Sequence, residues 1–159
     1  MRIRHPFKPL LLASLAALPM ASQAAPSVER GRYLVQVAGC NDCHTAGYIM
    51  APDQVPESAW LLGDSLGWSG PWGVTYASNL RLVLPKLTEE QWLLLARNAN
   101  YRPPMPNHAL RIMEEDDLRS IHRFAKQLGE AGQPAPAALP PGQTAQGPVV
   151  QFPQPPTEP

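Results

Sequence analysis

Cys40-Asn41-Asp42-Cys43-His44 places two thiols and an imidazole within five residues. Two thiols at this spacing can add across both vinyl groups of one porphyrin from the same side, each forming a thioether. The next residue then lies beneath the iron, so His44 is the expected proximal axial ligand. Other chemistries also use a C-x-x-C pair: a disulfide, a thioredoxin-like redox pair, or half of a zinc site. A redox pair opens a helix within a βαβ pattern, and none follows here. A zinc site needs further ligands with spacing of their own, and the chain holds no other cysteine. The motif therefore reads as the covalent attachment site of one c-type haem.

A haem held this way needs a second axial ligand or an open position. Tyr101-Arg102-Pro103-Pro104-Met105-Pro106 carries one methionine among three prolines. Proline restricts both itself and the residue before it, so the stretch is rigid and extended. A thioether is a weak ligand whose position the backbone must impose, and a lone Met elsewhere is usually core filler. The rigid setting and the upstream motif make Met105 the expected second ligand. Met50 follows the haem motif too closely to reach the opposite face, and Met113 reads as packing. His108 is the competitor, which would give a bis-His haem. His122 reads as a partly buried packing residue.

Helices must position these groups. Ser27 can cap a first helix over Val28 to Ala38, in which Gly31, Leu34, Val35 and Ala38 share one face. A glycine inside a helix costs about 1 kcal/mol against alanine, so Gly31 on the apolar face predicts close approach of another helix. Gly39 ends the helix. Thr88 and Gln91 form a capping box, predicting a helix to about Ala99 with Trp92, Leu95, Ala96 and Ala99 buried. The last helix is expected from Glu115 to Leu128, with carboxylates at its N-terminus, where the helix dipole favours them. Leu118, Ile121, His122, Ala125 and Leu128 make its inner face, with Phe124 beside it, and Gly129 closes it.

Between the helices, residues 45–73 are rich in Gly and Pro and lack periodicity. This stretch is expected to be an irregular loop wrapping the haem, with one short turn near Glu57 to Leu62. Trp60, Trp68 and Trp72 are expected as apolar filling, with their indole N–H groups as alternative donors to a propionate. Pro52 or Pro56 is expected to offer a carbonyl to the second nitrogen of His44. Residues 75–84 read as a short extended segment without a sheet. Arg81 there is either a propionate partner or a solvated side chain.

The length of 159 residues suits one domain, and 20 prolines mark part of the chain as outside a packed core. Residues 1–24 read as a secretory signal peptide: Arg2, Arg4 and Lys8, then an apolar run from Leu10 to Met20, then Ser22-Gln23-Ala24. The run is short of the roughly 20 residues that span a bilayer, so cleavage between Ala24 and Ala25 is expected, with no membrane span afterwards. Removing those three cations from the 13 Lys and Arg leaves 10 against 13 acidic residues, a formal −3. With no basic run, nucleic acid is excluded as an expected partner. Export fits the cysteines, because c-type haem is attached outside the cytoplasm. Residues 25–130 form the expected haem domain. Residues 131–159 form a Pro-rich tail that is either disordered or laid extended, with Val149 to Phe152 as its docking point.

From Val28 to Gly129 the sequence resembles a class I cytochrome c. The resemblance rests on Cys40-Asn41-Asp42-Cys43-His44, on Met105-Pro106 in a late loop, and on Gly31 and Phe124 where the terminal helices cross. The stretch from Pro104-Met105-Pro106 through Asp116-Asp117-Leu118 to Leu128-Gly129 is similar to periplasmic monohaem cytochromes and to cytochrome subunits of dehydrogenases. Asn107-His108 and His122 depart from that pattern, where aromatic residues are common. The resemblance implies an all-α, small cytochrome c fold with long haem-wrapping loops and a Pro-rich extension. It implies one haem c, held by Cys40 and Cys43 and ligated by His44 and Met105. It implies a periplasmic electron carrier rather than an enzyme. Its expected partners are redox proteins, among them a periplasmic or membrane-bound dehydrogenase and a terminal oxidase, met through small contacts below about 1,200 Å². The alternatives are a haem-based sensor or peroxidase-like protein with a dissociable sixth ligand, and a subunit tethered to a dehydrogenase by its tail.

Overall fold

Ser27 accepts a hydrogen bond from the Arg30 N–H and opens α1 (Val28–Val37) in a computed structural model, which describes residues 25–153. The expected signal peptide lies outside the described residues. Gly39, at φ +72°, turns the chain into α2 (Cys40–His44). Short 3₁₀ turns follow at Pro52–Gln54 and Glu57–Ala59, then strands β1 (Gly67–Gly70) and β2 (Gly73–Tyr76). Next come α3 (Leu80–Val83), α4 (Glu89–Asn98), α5 (Asn107–Ile112), α6 (Glu115–Leu128) and β3 (Val149–Gln151).

The α1–α6 crossing organises the core. A Cβ on Gly31 would stand 2.0 Å from the Ser120 carbonyl oxygen and 2.8 Å from the Phe124 Cβ, so only glycine permits this approach. Polar ties fix the crossing from the same side: Ser27 N–H donates to Ser120 Oγ (3.1 Å), and Arg30 makes a two-pronged pair with Asp117 (2.8 and 3.0 Å). Val35, Leu118, Phe124 and Ala125 lie at the centre with almost no exposure. The capping box of α4 forms as expected, with both Thr88–Gln91 bonds made. Trp92 reaches the core and donates to the Leu118 carbonyl (2.8 Å), joining α4 to α6. The inner face of α4 is narrower than its pattern implies. Trp92 and Ala96 are buried, whereas Leu95 is 40% exposed and Ala99 follows the helix end.

The expectation of an all-α fold is corrected by a three-stranded sheet in the order β2-β1-β3. β1 and β2 form an antiparallel hairpin, Gly67 opposite Tyr76 and Gly70 opposite Gly73. β1 lies in the stretch expected to be irregular, and β2 runs on into residues 75–84, the segment expected to be extended without a sheet. That segment instead joins the sheet at Thr75 and Tyr76 and turns helical from Leu80, where Asn79 caps α3. β3 pairs parallel with β1, Gly67 opposite Val149 and Ser69 opposite Gln151. The strands are four, four and three residues long, too short to carry an alternating pattern, and the third comes from the tail.

The tail is laid extended over the hairpin. Leu139 exchanges backbone bonds with Val74 (2.8 and 3.0 Å), and Phe152 packs between Trp68 and Trp72 with ring centroids 6.1 and 5.2 Å away. Among the described residues, no helix is long and apolar enough to cross a membrane.

Candidate haem site

The motif Cys40-Asn41-Asp42-Cys43-His44 forms one helical turn. Cys40 and Cys43, three apart, share a face of that turn. Both are free thiols, half-buried, and Cys40 packs against the core. Burial pushes the Cys40 thiol up to about 11, and it also raises Cys43, assisted by Asp42. Thiols held protonated are poor disulfide-exchange nucleophiles and poor zinc ligands, both of which require thiolate. Thioether sulfurs carry no charge and suit the same surroundings.

Asn41 and Thr45 hold the turn from beneath. Thr45 Oγ1 donates to Asn41 Oδ1 (2.8 Å) and accepts the Leu61 N–H (2.8 Å), all in full burial. Asn41 Nδ2 has no partner among the described residues. The motif shows no signal for this bracket, since Asn41 occupies one of its two variable positions.

His44 is buried, which lowers its pKa, and its Nδ1 lies 2.8 Å from the Ser78 carbonyl oxygen, a contact that pulls the other way. A carbonyl only accepts, so Nδ1 carries the hydrogen and Nε2 keeps its lone pair. That is the tautomer an imidazole needs to ligate a metal. The orienting carbonyl is thus supplied by Ser78 and not by Pro52 or Pro56. The 44–63 backbone packs tightly against this segment: Gly63 N–H donates to the His44 carbonyl (2.8 Å). At φ +81°, a Gly63 Cβ would stand 2.8 Å from the Asn79 nitrogen.

Met105 is half-buried and packs against the same core as Cys40. Its loop is pinned by Asn107, whose side chain accepts the Tyr101 N–H (2.8 Å) and donates to the Tyr101 carbonyl (2.9 Å). The Asn107 N–H donates to the Met105 carbonyl (2.9 Å). Asn107, a departure from the aromatic pattern, therefore acts as the loop's clasp. His108 is exposed on α5. Met50 is 84% exposed, and Met113 lies against the core. His122 is buried with Nε2 at 2.9 Å from the Leu87 carbonyl oxygen, as a packing residue.

Three of the four candidate propionate donors, Arg81, Trp60 and Trp72, are used inside the protein. Arg81 is buried and donates to the carbonyls of Gly129, Leu128 and Ser58, so it completes the C-terminus of α6. The indole N–H of Trp60 goes to the Val55 carbonyl and that of Trp72 to the Trp68 carbonyl. Trp68 packs its ring at a tilt against Phe152.

The residues present fit a covalently held haem: two neutral thiols on one turn, an oriented imidazole with a free lone pair, and a thioether on a clasped loop beside the same core. No family model and no solved structure matches the chain. The chain is similar to the gluconate 2-dehydrogenase cytochrome c subunit of Pantoea cypripedii, 31% identical over 126 residues. The match covers 71% of this chain and 29% of that relative, so the chain spans less than a third of the relative's length.

Proposed function

We propose that this chain is a periplasmic one-electron carrier with a single haem c attached through Cys40 and Cys43 and ligated by His44 and Met105. The observation that carries the reading is the folded motif itself: His44 is buried with Nδ1 engaged by Ser78, which leaves Nε2 free beside two thiols on one helical turn. The haem would supply a one-electron couple. The chain's own part is to hold the macrocycle rigidly, exclude water and present two ligands that need not move. A neutral imidazole and a soft thioether favour the reduced state, which implies a high potential.

The similarity to a dehydrogenase cytochrome subunit supports a narrower role as the electron-transfer component of a dehydrogenase; a terminal oxidase is the acceptor that a periplasmic carrier of this kind would serve. The described tail lies on the chain's own sheet, which favours an integral part of the domain over a free tether.

The test is the purified mature protein. Mass spectrometry should give one covalent haem. Ferric spectra should show the iron–sulfur charge-transfer band, and the ferrous protein should not bind CO. Ready CO binding without that band would replace the carrier with a sensor or peroxidase-like protein. Neither band nor CO binding would replace Met105 by His108.

A further inference from the structure

The Ser78 carbonyl that receives the His44 N–H belongs to a segment between β2 and α3 with no sheet to hold it. Its neighbour is nevertheless among the most constrained side chains described. Asn79 is 2% exposed and its amide is fully engaged. Its Oδ1 accepts the Arg81 N–H (3.0 Å), which caps α3, and its Nδ2 donates to the carbonyls of Ala131 (2.8 Å) and Gln133 (3.2 Å) beyond α6. The Ser78 C=O and the Asn79 N–H share one rigid peptide plane, so anchoring Asn79 aims the carbonyl. Resting on the haem reading above, we propose that Asn79 is a positioning residue for the proximal histidine. Its amide ties the Ser78–Asn79 peptide to the start of the tail, and so sets the direction and strength of the His44–Ser78 hydrogen bond.

Two features argue for more than a helix cap. α3 has only four residues, and capping it uses the oxygen alone. The two nitrogen bonds cross more than 50 residues to a Pro-rich segment beyond α6, a span that capping a four-residue helix does not require. That segment is shaped for the tie: Gly132, between the two acceptors, has φ +73°, and a Cβ there would stand 3.1 Å from Asn79 Nδ2. The chemical consequence follows from the bond's polarity. A firm N–H···O=C bond makes the imidazole a more basic ligand and favours the ferric state. Loosening it should raise the potential.

The holoprotein is compared as wild type, Asn79→Ala, Asn79→Ser, Gly132→Ala and Thr88→Ala. Serine keeps a capping oxygen and lacks the amide donors, while Thr88→Ala removes the α4 cap, well away from His44 in sequence. The readouts are the reduction potential and the exchange rate of the His44 Nδ1 hydrogen by NMR of the ferrous protein. In both Asn79 variants and in Gly132→Ala, exchange should quicken about fivefold, the ratio that a hydrogen bond worth about 1 kcal/mol represents. The ferrous-to-ferric ratio at fixed ambient potential should rise severalfold. Thr88→Ala should lower thermal stability and leave both readouts at wild-type values. If Asn79→Ala fails to fold, Asn79→Ser and Gly132→Ala decide the matter. Wild-type values in Asn79→Ser would reduce the residue to a cap, and equal shifts in Thr88→Ala would reduce it to general stability; either overturns the proposal. A wild-type protein without covalent haem, by contrast, would overturn the haem reading itself and this inference with it.

Discussion

His44 and Met105 reach the proposed haem from supports of unequal depth. His44 is buried, its Nδ1 faces a carbonyl, and that carbonyl's peptide is gripped between Gly63 and the fully bonded Asn79. Met105 is half-buried on a loop whose flanking residues Tyr101, Arg102 and Pro106 are exposed, and one side chain, Asn107, clasps it. The hydrogen bonds that hold the proximal side come from four separate stretches of the chain, whereas those of the methionine clasp join Tyr101, Met105 and Asn107 within seven consecutive residues. A ligand whose support is spread through the core resists loss, whereas one on a local clasp can be released without disturbing the core. The difference teaches where the proposed haem would open its iron: on the methionine side.

The largest effects should fall on the proximal side. Replacing both Cys40 and Cys43 by alanine should abolish covalent haem, read as loss of the haem mass and of haem stain on a denaturing gel. His44→Ala should leave little or no stable holoprotein. Retention of covalent haem in the double cysteine variant would sink the attachment site outright.

Met105→Ala should behave differently, keeping covalent haem and the fold. It should lose the charge-transfer band, bind CO and show a lower potential. Asn107→Ala sharpens the contrast, because it removes the clasp and keeps the ligand. A net loss of about 1 kcal/mol per hydrogen bond should leave most molecules Met-ligated and let a minority bind CO. A Met105→Ala protein that keeps the charge-transfer band would move the distal ligand elsewhere, and the comparison between the two sides would no longer hold.

The legibility of these two sides in the sequence follows the same division. The helical frame was readable because local rules produced it: Ser27 and the Thr88–Gln91 box cap helices within their own turns, and Gly31 on an apolar face signalled the crossing at Ser120 and Phe124. The site's own supports were not readable, because they are tertiary. Ser78 serves His44 through a backbone carbonyl, which carries no residue signature. Arg81 looked available for a propionate, yet three carbonyls at and around the end of α6 claim it. The sheet was missed for a similar reason. Gly67-Trp68-Ser69-Gly70 has no alternation, and its parallel partner lies about 80 residues away in a segment whose prolines suggest disorder. Only the apolar Val149 to Phe152 within that tail hinted that it would dock.

That docking makes a further, smaller prediction. Phe152→Ala removes one ring packed against Trp68 and Trp72, and such aromatic pairs contribute about 0.5–1.5 kcal/mol each beyond burial. The holoprotein should melt a few degrees lower, with spectrum and potential at wild-type values, because the hydrogen bonds that hold His44 and the methionine loop come from other residues. A changed charge-transfer band would instead connect the tail to the methionine loop. Among the described residues, one hydrogen bond joins them and it is long, Arg102 Nη1 to the Leu139 carbonyl at 3.4 Å.

The smallest effect belongs to the scaffold that both sides share. Glu89, in the first turn of α4, is held below the usual carboxylate range, first by its bond with Arg123 and then by Arg119 on the same helix, α6. A depressed carboxylate contributes stability that is fully present above its unfolded value near 4.5 and is lost as pH falls through its lower folded value. Glu89→Gln should therefore lower the melting temperature slightly near neutrality and converge with wild type as pH falls through the depressed folded value of Glu89. The pairs are partly exposed, so added salt should shrink the neutral-pH difference. Potential and CO behaviour should stay unchanged at every pH where both proteins are folded. A Glu89→Gln protein whose potential shifted would mean that the α4–α6 contact acts on the ligands, and the frame could then no longer be treated as passive.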